Sequence, residues 1–513
     1  MKSIISLFPH HGKTGRVSVV TYLAAGMVGG GMILRIMDFA LNRSLWFDEA
    51  LLALNLINRS FSALMQPLEN NQGAPLGFLF IQKIIIVVLG NKDYLFLLFP
   101  LVTGLIGVYA MYRVASIYLP NTGALVSIGL FAFSYKLITY ASTNKQYSSD
   151  ALVTILLLFF AFKCLEENPR PRQYIALIIG GVVSLWISHS ALFILVGVGL
   201  VLAVDRLIRK DRRELLWIGM LFLIWAINAG ILYFISLRSL TTNSALLDYW
   251  RLFFMPMPPW REPAWVVNSF YTMFKNPGGF INPWTAKIGL IIFFIGCISL
   301  LFRKWQWAMI LMVPYPVVLL ASGLDKYPFG DRFLIFSMPI LFLLVGEGIE
   351  RIRSLLIKLN DWVAFGICLL ISGLLFYNPI TQAVKNMTNP NMGENIKPVL
   401  AYVQLHKLET DTVYIYYGAF PAFSYYAPSY GFGPNDYIVG ITSRQKPGKY
   451  IKDIDKLKQL GRVWFIFSHN CSGCKVNERN FYLDYLNSVG TIIDKFKASS
   501  ASTYLYHLGS REQ

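Results

Sequence analysis

The sequence predicts an α-helical protein that crosses a membrane about eleven times and ends in a small soluble α/β domain. Three observations predict this fold class. The chain of 513 residues is 55% hydrophobic and only 14% charged, whereas soluble domains carry about 25% charged residues. Its apolar runs approach the ~20 residues that a membrane-spanning helix needs. Beyond residue 380 these runs stop, and short apolar segments alternate with amphipathic ones.

The membrane part divides into eleven predicted spans. Residues 174–205 are long enough for two short helices, and we divide them near His189. The spans are residues 17–38, 94–112, 120–138, 150–165, 174–189, 190–205, 214–236, 285–302, 305–322, 333–349 and 361–378.

One further apolar run, residues 75–90, carries Gln82 and Lys83 in its middle. A charge at the centre of the lipid layer costs a few kcal/mol, which disfavours a span here. We therefore predict a juxtamembrane helix that lies at the outer interface.

The basic links between spans define the sidedness of the protein. If residues 75–90 do not cross the membrane, Arg113 and the basic segment 205–214 fall on the same side of it. Lys and Arg concentrate in cytoplasmic loops, so this side is the cytoplasm and the N-terminus lies there. The same rule explains the formal net charge of +18 without a nucleic-acid partner.

The longer segments then face outward. They include a first loop at 39–93 and a large loop at 237–284, which is rich in Trp, Pro and Phe. The predicted domains are a multi-span membrane domain over residues 1–379 and an extracytoplasmic α/β domain over residues 380–513. Since the substantial outer segments share one side, we expect the functional surface there.

The C-terminal domain combines strand and helix patterns. Strands are predicted at 411–418, 462–468 and 502–509, and helices at 395–407 and 477–489. β-branched and aromatic runs favour the strands, and helical periodicity favours the helices.

Few motifs of soluble enzymes occur. Cys471 and Cys474 form a CxxC pair, which lacks the second pair of a zinc site, so a local disulfide and two free thiols both remain open. The sequence contains no Walker loop, dinucleotide-binding glycine pattern, zinc helix or serine elbow. Nucleotide-driven and zinc-hydrolase chemistry therefore have no visible basis.

The first outer loop carries two adjacent carboxylates, Asp48 and Glu49, at the start of a predicted amphipathic helix. One interpretation is structural, because the helix dipole favours acids in a first turn. The other is that a carboxylate held near the interface acts as a general base toward a hydroxyl. Both remain open on the spacing alone.

The second outer loop places Lys145, Tyr147 and Asp150 at the mouth of a span. Tyr147 and Asp150 are three residues apart and share a helix face. A cation, a phenol and a carboxylate together suit a phosphate and a sugar hydroxyl. The alternative is an interfacial anchor followed by a helix-capping acid.

Two further cationic positions are candidates for phosphate binding. Lys83 either extends toward the interface or contacts a lipid phosphate. The late turn DKYPFGDRF places Tyr327 and Arg332 on the outer side. The guanidinium group donates two parallel hydrogen bonds to phosphate, and an outer Arg runs against the positive-inside bias.

The order of these motifs resembles the GT-C superfamily. The shared features are an acidic pair after the first span, a Pro-containing juxtamembrane stretch, a K/R-x-Tyr loop before the fourth span and a late Tyr-Pro-Phe-Gly-x-Arg turn. Within the superfamily, the chain is most similar to the branch of protein O-mannosyltransferases and lipid A aminoarabinose transferases. The likeness covers residues 17–378 and implies a GT-C type fold.

The resemblance implies roles for individual residues. Asp48 matches the first-loop acid that acts as the general base, and Glu49 would support it. Asp150 falls near a second acid of the superfamily, and Arg332 matches the Arg that holds the donor phosphate.

In the second loop, Lys145 stands where relatives often have Arg, and Tyr147 matches an aromatic residue. The sequence departs from the pattern at Thr143, where relatives have an acid.

The resemblance further implies transfer of a sugar from a polyprenyl-phosphate donor to a lipid, glycan or protein acceptor, by a single displacement that inverts the anomeric centre. Lys145 and Arg332 can carry the charge without a metal, although some superfamily members use divalent ions, which leaves a divalent cation open. The alternatives are a transporter or flippase of a lipid-linked sugar, and a structural partner in an envelope complex.

Overall fold

The computed structural model describes residues 19–444, 446–470 and 477–509. The predicted cytoplasmic N-terminal segment before residue 19 and the Cys471/Cys474 pair lie outside these residues. The described residues form two compact units, one within residues 1–40 and 59–389 and the other within residues 41–58 and 390–513.

In chain order the α-helices are α1 (Val19–Ala40), α2 (Phe47–Asn58), α3 (Leu76–Leu89), α4 (Asp93–Phe96), α5 (Leu98–Tyr118), α6 (Asn121–Phe133), α7 (Tyr135–Tyr140), α8 (Tyr147–Cys164), α9 (Pro171–Ile187), α10 (Ala191–Arg209), α11 (Arg212–Leu232), α12 (Arg238–Thr241), α13 (Ser244–Tyr249), α14 (Pro263–Lys275), α15 (Pro283–Met312), α16 (Pro314–Gly323), α17 (Met338–Leu356), α18 (Asp361–Thr388), α19 (Lys397–His406), α20 (Phe420–Tyr426), α21 (Gly448–Asp455) and α22 (Glu478–Val489).

Shorter helical turns connect several of these helices. A π-helical turn spans Tyr233–Leu237, and 3-10 turns span Ala63–Met65, Glu69–Asn71, Arg251–Phe253, Pro259–Arg261, Asp331–Ser337, Ala427–Tyr430 and Lys458–Leu460.

Within the described residues, eight helices or continuous helical runs are long and apolar enough to cross a membrane. They are Val19–Ala40, Asp93–Tyr118, Tyr147–Cys164, Ala191–Arg209, Arg212–Thr241, Pro283–Gly323, Asp331–Leu356 and Asp361–Thr388.

Every predicted span overlaps a helix, and the span 120–138 is divided at Ser134 between α6 and α7. The run Pro283–Gly323 contains two of the predicted spans, and the shorter apolar helices α6 and α9 account for the other two. The division near His189 is present, since α9 ends at Ile187 and α10 begins at Ala191. The predicted juxtamembrane run forms the short apolar helix α3.

The second unit contains a five-stranded sheet of order β2-β1-β3-β5-β4. Its strands are β1 (Thr412–Ile415), β2 (Tyr437–Val439), β3 (Arg462–Ser468), β4 (Gly490–Ala498) and β5 (Ala501–Leu508).

Strand β1 pairs in parallel with β2 and β3, so Tyr414 lies opposite Phe465. Strand β5 runs antiparallel to both β3 and β4. Strand β3 pairs on both sides and is central in the sheet; its residues from Val463 to Ser468 are buried, and Val463, Phe465 and Phe467 belong to the domain core. The prediction of a helical membrane fold with a C-terminal α/β domain is confirmed.

The unit boundaries differ from the predicted domains. The sequence assigned the first outer loop to the membrane domain, but residues 41–58, which contain α2, cluster with the C-terminal residues. The second unit resumes at residue 390 instead of 380. This grouping arises from contacts between distant parts of the chain, which local patterns do not reveal.

Candidate functional site

The carboxylate of Glu49 is completely buried in the second unit and paired with a cation. Arg43 donates to both of its oxygens at 2.6 and 3.2 Å. The backbone N–H of Trp46 donates to the same carboxylate at 3.0 Å. Trp46 directly precedes α2 as its N-cap residue, because its carbonyl accepts the N–H of Ala50. Glu49 is therefore a helix-capping acid of the capping-box type, and its predicted support of Asp48 remains a prediction.

Asp48 is half-buried. The residue before it, Phe47, makes several contacts within the second unit. The backbone N–H of Phe47 donates to Glu394 at 3.0 Å. Glu394 is also in contact with His469, with 2.6 Å between Oε1 and Nδ1. The ring of His469 stacks on Phe47 at 4.2 Å between centroids. These contacts fix the backbone that carries Asp48.

The segment before Asp48 is fixed by the same part of the chain. Ser44 donates to Asn395 at 2.8 Å, and Lys397 donates to the carbonyl of Asn42 at 2.6 Å. The N–H of Leu45 donates to a tyrosine hydroxyl of α20 at 3.0 Å. The predicted base thus belongs structurally to the α/β domain.

The remaining predicted residues lie in the first unit. Lys145 is buried, and its ammonium donates to Gln72 at 2.8 Å. The neighbouring Asn144 accepts a hydrogen bond from the amide of Gln82 at 3.1 Å. The first and second outer loops of the sequence therefore meet at Lys145.

Tyr147, Asp150 and Tyr327 lie close together in this unit. The hydroxyl of Ser188 interacts with the Asp150 carboxylate. The Oδ1 atom of Asp150 is buried and has no hydrogen-bond partner among the described residues. Burial, together with the neighbouring Asp150 and Tyr147, raises the pKa of Tyr327 well above its ordinary value. The phenol therefore stays protonated and donates to the carbonyl of Phe333 at 2.9 Å.

Arg332 lies in the late turn of the same unit, half-buried. Its guanidinium carbon stands 5.1 Å from the ring centre of Trp250 in the large outer loop. The preceding Asp331 accepts a hydrogen bond from Asn276 at 2.7 Å. Lys136 is within electrostatic reach of both Asp331 and Arg332. Two cations, Lys136 and Arg332, therefore lie near the carboxylate of Asp331.

Four further side chains lie at or beside the predicted residues. Gln72, Lys136 and Trp250 contact or influence a predicted residue, and Gln82 donates to Asn144, next to Lys145. Gln82 was used only to argue against a span, and Lys136 lies within the predicted span 120–138. For Gln82 and Lys136, the signal in the sequence was a polar residue inside an apolar run.

Lys83, next to Gln82 on α3, is half-buried. The amide of the neighbouring Gln82 contacts the second loop at Asn144. The predicted contact of Lys83 with phosphate stays a prediction.

Part of the sequence matches a known protein family. Residues 73–234, less than half of the chain, match the family model of dolichyl-phosphate-mannose-protein mannosyltransferases. No curated protein matches the chain by sequence.

Solved structures match nearly the whole chain. ArnT from Cupriavidus metallidurans, bound to undecaprenyl phosphate, superposes with a TM-score of 0.53 at 12% identity, over 95% of this chain and 98% of ArnT. The archaeal oligosaccharyltransferase AglB from Archaeoglobus fulgidus, in complex with an inhibitory peptide and a dolichol-phosphate, matches with a TM-score of 0.52 at 11% identity, over 94% of this chain and 74% of AglB.

The chain has the GT-C glycosyltransferase fold. The resemblance drawn from the motif order is thereby confirmed. Both solved relatives are glycosyltransferases whose structures contain a polyprenyl phosphate or dolichol-phosphate. A further AglB structure contains zinc and sulfate. In the part of this chain that the structure describes, no group of three or more His, Cys, Asp or Glu side chains is arranged to hold a metal ion.

Proposed function

We propose that this protein transfers a sugar from a polyprenyl-phosphate donor to a hydroxyl of a lipid, glycan or protein acceptor, at the outer face of the cytoplasmic membrane. The observation that carries the proposal is the buried polar group of Lys145, Tyr147 and Asp150 beside Tyr327, in a fold whose solved relative is bound to undecaprenyl phosphate. Ionisable side chains inside a membrane protein are costly and mark functional sites.

The chemistry needs a base and charge stabilisation. The bond between the anomeric carbon and the phosphate oxygen breaks, and the acceptor oxygen bonds to that carbon from the opposite side. The acceptor proton passes to the base, for which we propose Asp48. The polyprenyl monophosphate leaves with one more negative charge than the phosphate of the donor carried.

Cations that face this developing charge lower the barrier because they stabilise the transition state more than the donor. We propose Lys145 and Arg332 for this role. Lys83, Tyr147 and Tyr327 would complete the binding of the donor.

Asp150 is proposed to bind a sugar or acceptor hydroxyl. The buried Oδ1 without a hydrogen-bond partner among the described residues supports this role. In water-poor surroundings, an acceptor atom in that position gains from a hydroxyl donor. No step in this scheme uses a metal.

An assay in sealed liposomes tests the proposal. The purified full chain is reconstituted, supplied with radiolabelled polyprenyl-phosphate sugars and given a membrane extract as the acceptor source. We expect labelled acceptor and unlabelled polyprenyl monophosphate to appear together. Relocation of intact donor across the bilayer, with the sugar–phosphate bond unbroken, would instead identify a transporter.

A further inference from the structure

Part of the large outer loop lies directly against the late turn of the first unit. We call residues 250–276 the strap. The N–H of Phe329 in the turn donates to the carbonyl of Phe253 in the strap at 2.7 Å. A Cβ at Gly330 would stand 2.3 Å from the ring of Phe253, so only glycine permits this approach. The strap is therefore closely packed on the turn.

Two side-chain hydrogen bonds join the strap to the turn and to the end of α16, the helix before it. Ser322 accepts the N–H of Met255 at 2.9 Å. Asn276, at the end of the strap, donates to Asp331 at 2.7 Å. The backbone of Asp331 has a φ of 45°, in the left-handed region, which costs a non-glycine residue about 1 kcal/mol or more. Asn276 thus helps to hold a strained residue that directly precedes Arg332.

Trp250, at the other end of the strap, lies over Arg332. The guanidinium carbon is 5.1 Å from the ring centre. The same ring packs edge-on against Phe333 at 4.8 Å, with an interplanar angle of 86°. The strap therefore acts on Arg332 in two ways. Trp250 contacts its side chain, and Asn276 restrains the preceding residue, Asp331.

We propose that the strap is a positioning device for the donor phosphate, in which Trp250 and Asn276 hold Arg332 in its binding orientation. The inference rests on the proposed function, because that function makes Arg332 a ligand of the phosphate. An Arg side chain loses rotamer freedom when it binds, and a side chain that is already oriented loses less. The aromatic face attracts the guanidinium and limits its rotation.

Three Trp variants test the role of the ring. Trp250→Leu keeps an apolar side chain but removes the π face. We expect the Kd of the full chain for polyprenyl monophosphate to rise about fivefold, a typical effect of losing one cation–π contact. Trp250→Phe should recover most of the affinity. The matched control is Trp260→Leu in the same strap, where the side chain is 77% exposed, and its Kd should stay unchanged.

Asn276→Ala provides a second, independent variant. It removes the hydrogen bond to Asp331 while leaving Trp250 in place, and we expect a smaller rise of the same Kd. Inorganic phosphate and polyprenol serve as separate probes. Loss of affinity for polyprenyl monophosphate and inorganic phosphate, but not for polyprenol, assigns the effect to phosphate binding.

A double-mutant cycle decides between positioning and simple packing. If Trp250 acts through Arg332, then Trp250→Leu causes no further loss in an Arg332→Gln background. An equal loss in both backgrounds, or an equal effect of Trp260→Leu, overturns the proposal. Binding without sugar transfer by the unsubstituted chain would reject the proposed function alone, while absence of any binding would reject both.

Discussion

Asp48 and Glu49 are neighbours in the chain, but their surroundings differ. Glu49 is fully buried and accepts hydrogen bonds from Arg43 and the N–H of Trp46. Asp48 is half-buried. The sequence left a structural and a functional interpretation of the pair open, and the resemblance implied that Asp48 is the general base with Glu49 in support. The pairing of Glu49 with Arg43 was not predicted, because nothing in the local pattern indicates it.

The ion pair of Glu49 leads to a stability prediction. Glu49→Gln removes the carboxylate that accepts two hydrogen bonds from the buried guanidinium of Arg43, and breaking a buried ion pair typically costs about 3 kcal/mol. We expect a clear fall in the apparent Tm of the full chain in detergent. The control is Glu69→Gln, because Glu69 pairs with Arg59 but its side chain is 70% exposed. Exposed pairs contribute about 0.5 kcal/mol, so equal falls in both variants would contradict the structural role of Glu49.

Asp48→Asn tests the proposed base. The amide is nearly isosteric and cannot accept the acceptor proton, so we expect transfer to fall by at least about a hundredfold with little change in apparent Tm. The control is Asp484→Asn, which alters an exposed carboxylate of the same unit and should transfer normally. Full transfer by Asp48→Asn would remove Asp48 from this role.

At the scale of elements, the sequence predicted those with strong local patterns. The spans, α19, α22 and β3 follow apolar runs or helical periodicity, and the structure places them there. The strands β2 and β4 were missed. β2 has only three residues, and β4 is an edge strand whose side chains are mostly exposed. Neither carries the buried alternation that identifies a strand.

Sequence patterns also could not predict that α2 packs with the C-terminal domain. This packing depends on hydrogen bonds between residues more than 340 positions apart, such as Phe47 with Glu394. Such contacts leave no local periodicity in either segment. The same reason explains why the contact of Trp250 with Arg332 was not foreseen.

A single glycine tests this attachment. Gly393 has a φ of 58°, and a Cβ there would stand 2.0 Å from the indole of Trp46. We expect Gly393→Ala to lower the apparent Tm and to increase proteolysis near residues 41–58. The control is Gly366→Ala on α18, where a Cβ meets nothing within 4 Å. A Gly393→Ala variant as stable as this control would show that the close approach is unimportant.

At the scale of the whole molecule, the predicted site residues are shared between two compact units. The proposed base belongs to the unit with the α/β sheet, and the proposed phosphate ligands belong to the helical unit. Sugar transfer by these residues requires that both sets face the same compartment, opposite the basic links. The positive-inside rule predicts this arrangement.

Accessibility labelling of single cysteines tests that requirement most directly. In a variant without native cysteines, Asn58→Cys reports on the Asp48 segment, Lys326→Cys on the late turn and Arg213→Cys on a basic link; all three positions are exposed. In intact cells, an impermeant maleimide should label the first two, and should label Arg213→Cys only after permeabilisation. Labelling of Asn58→Cys only after permeabilisation would contradict the account.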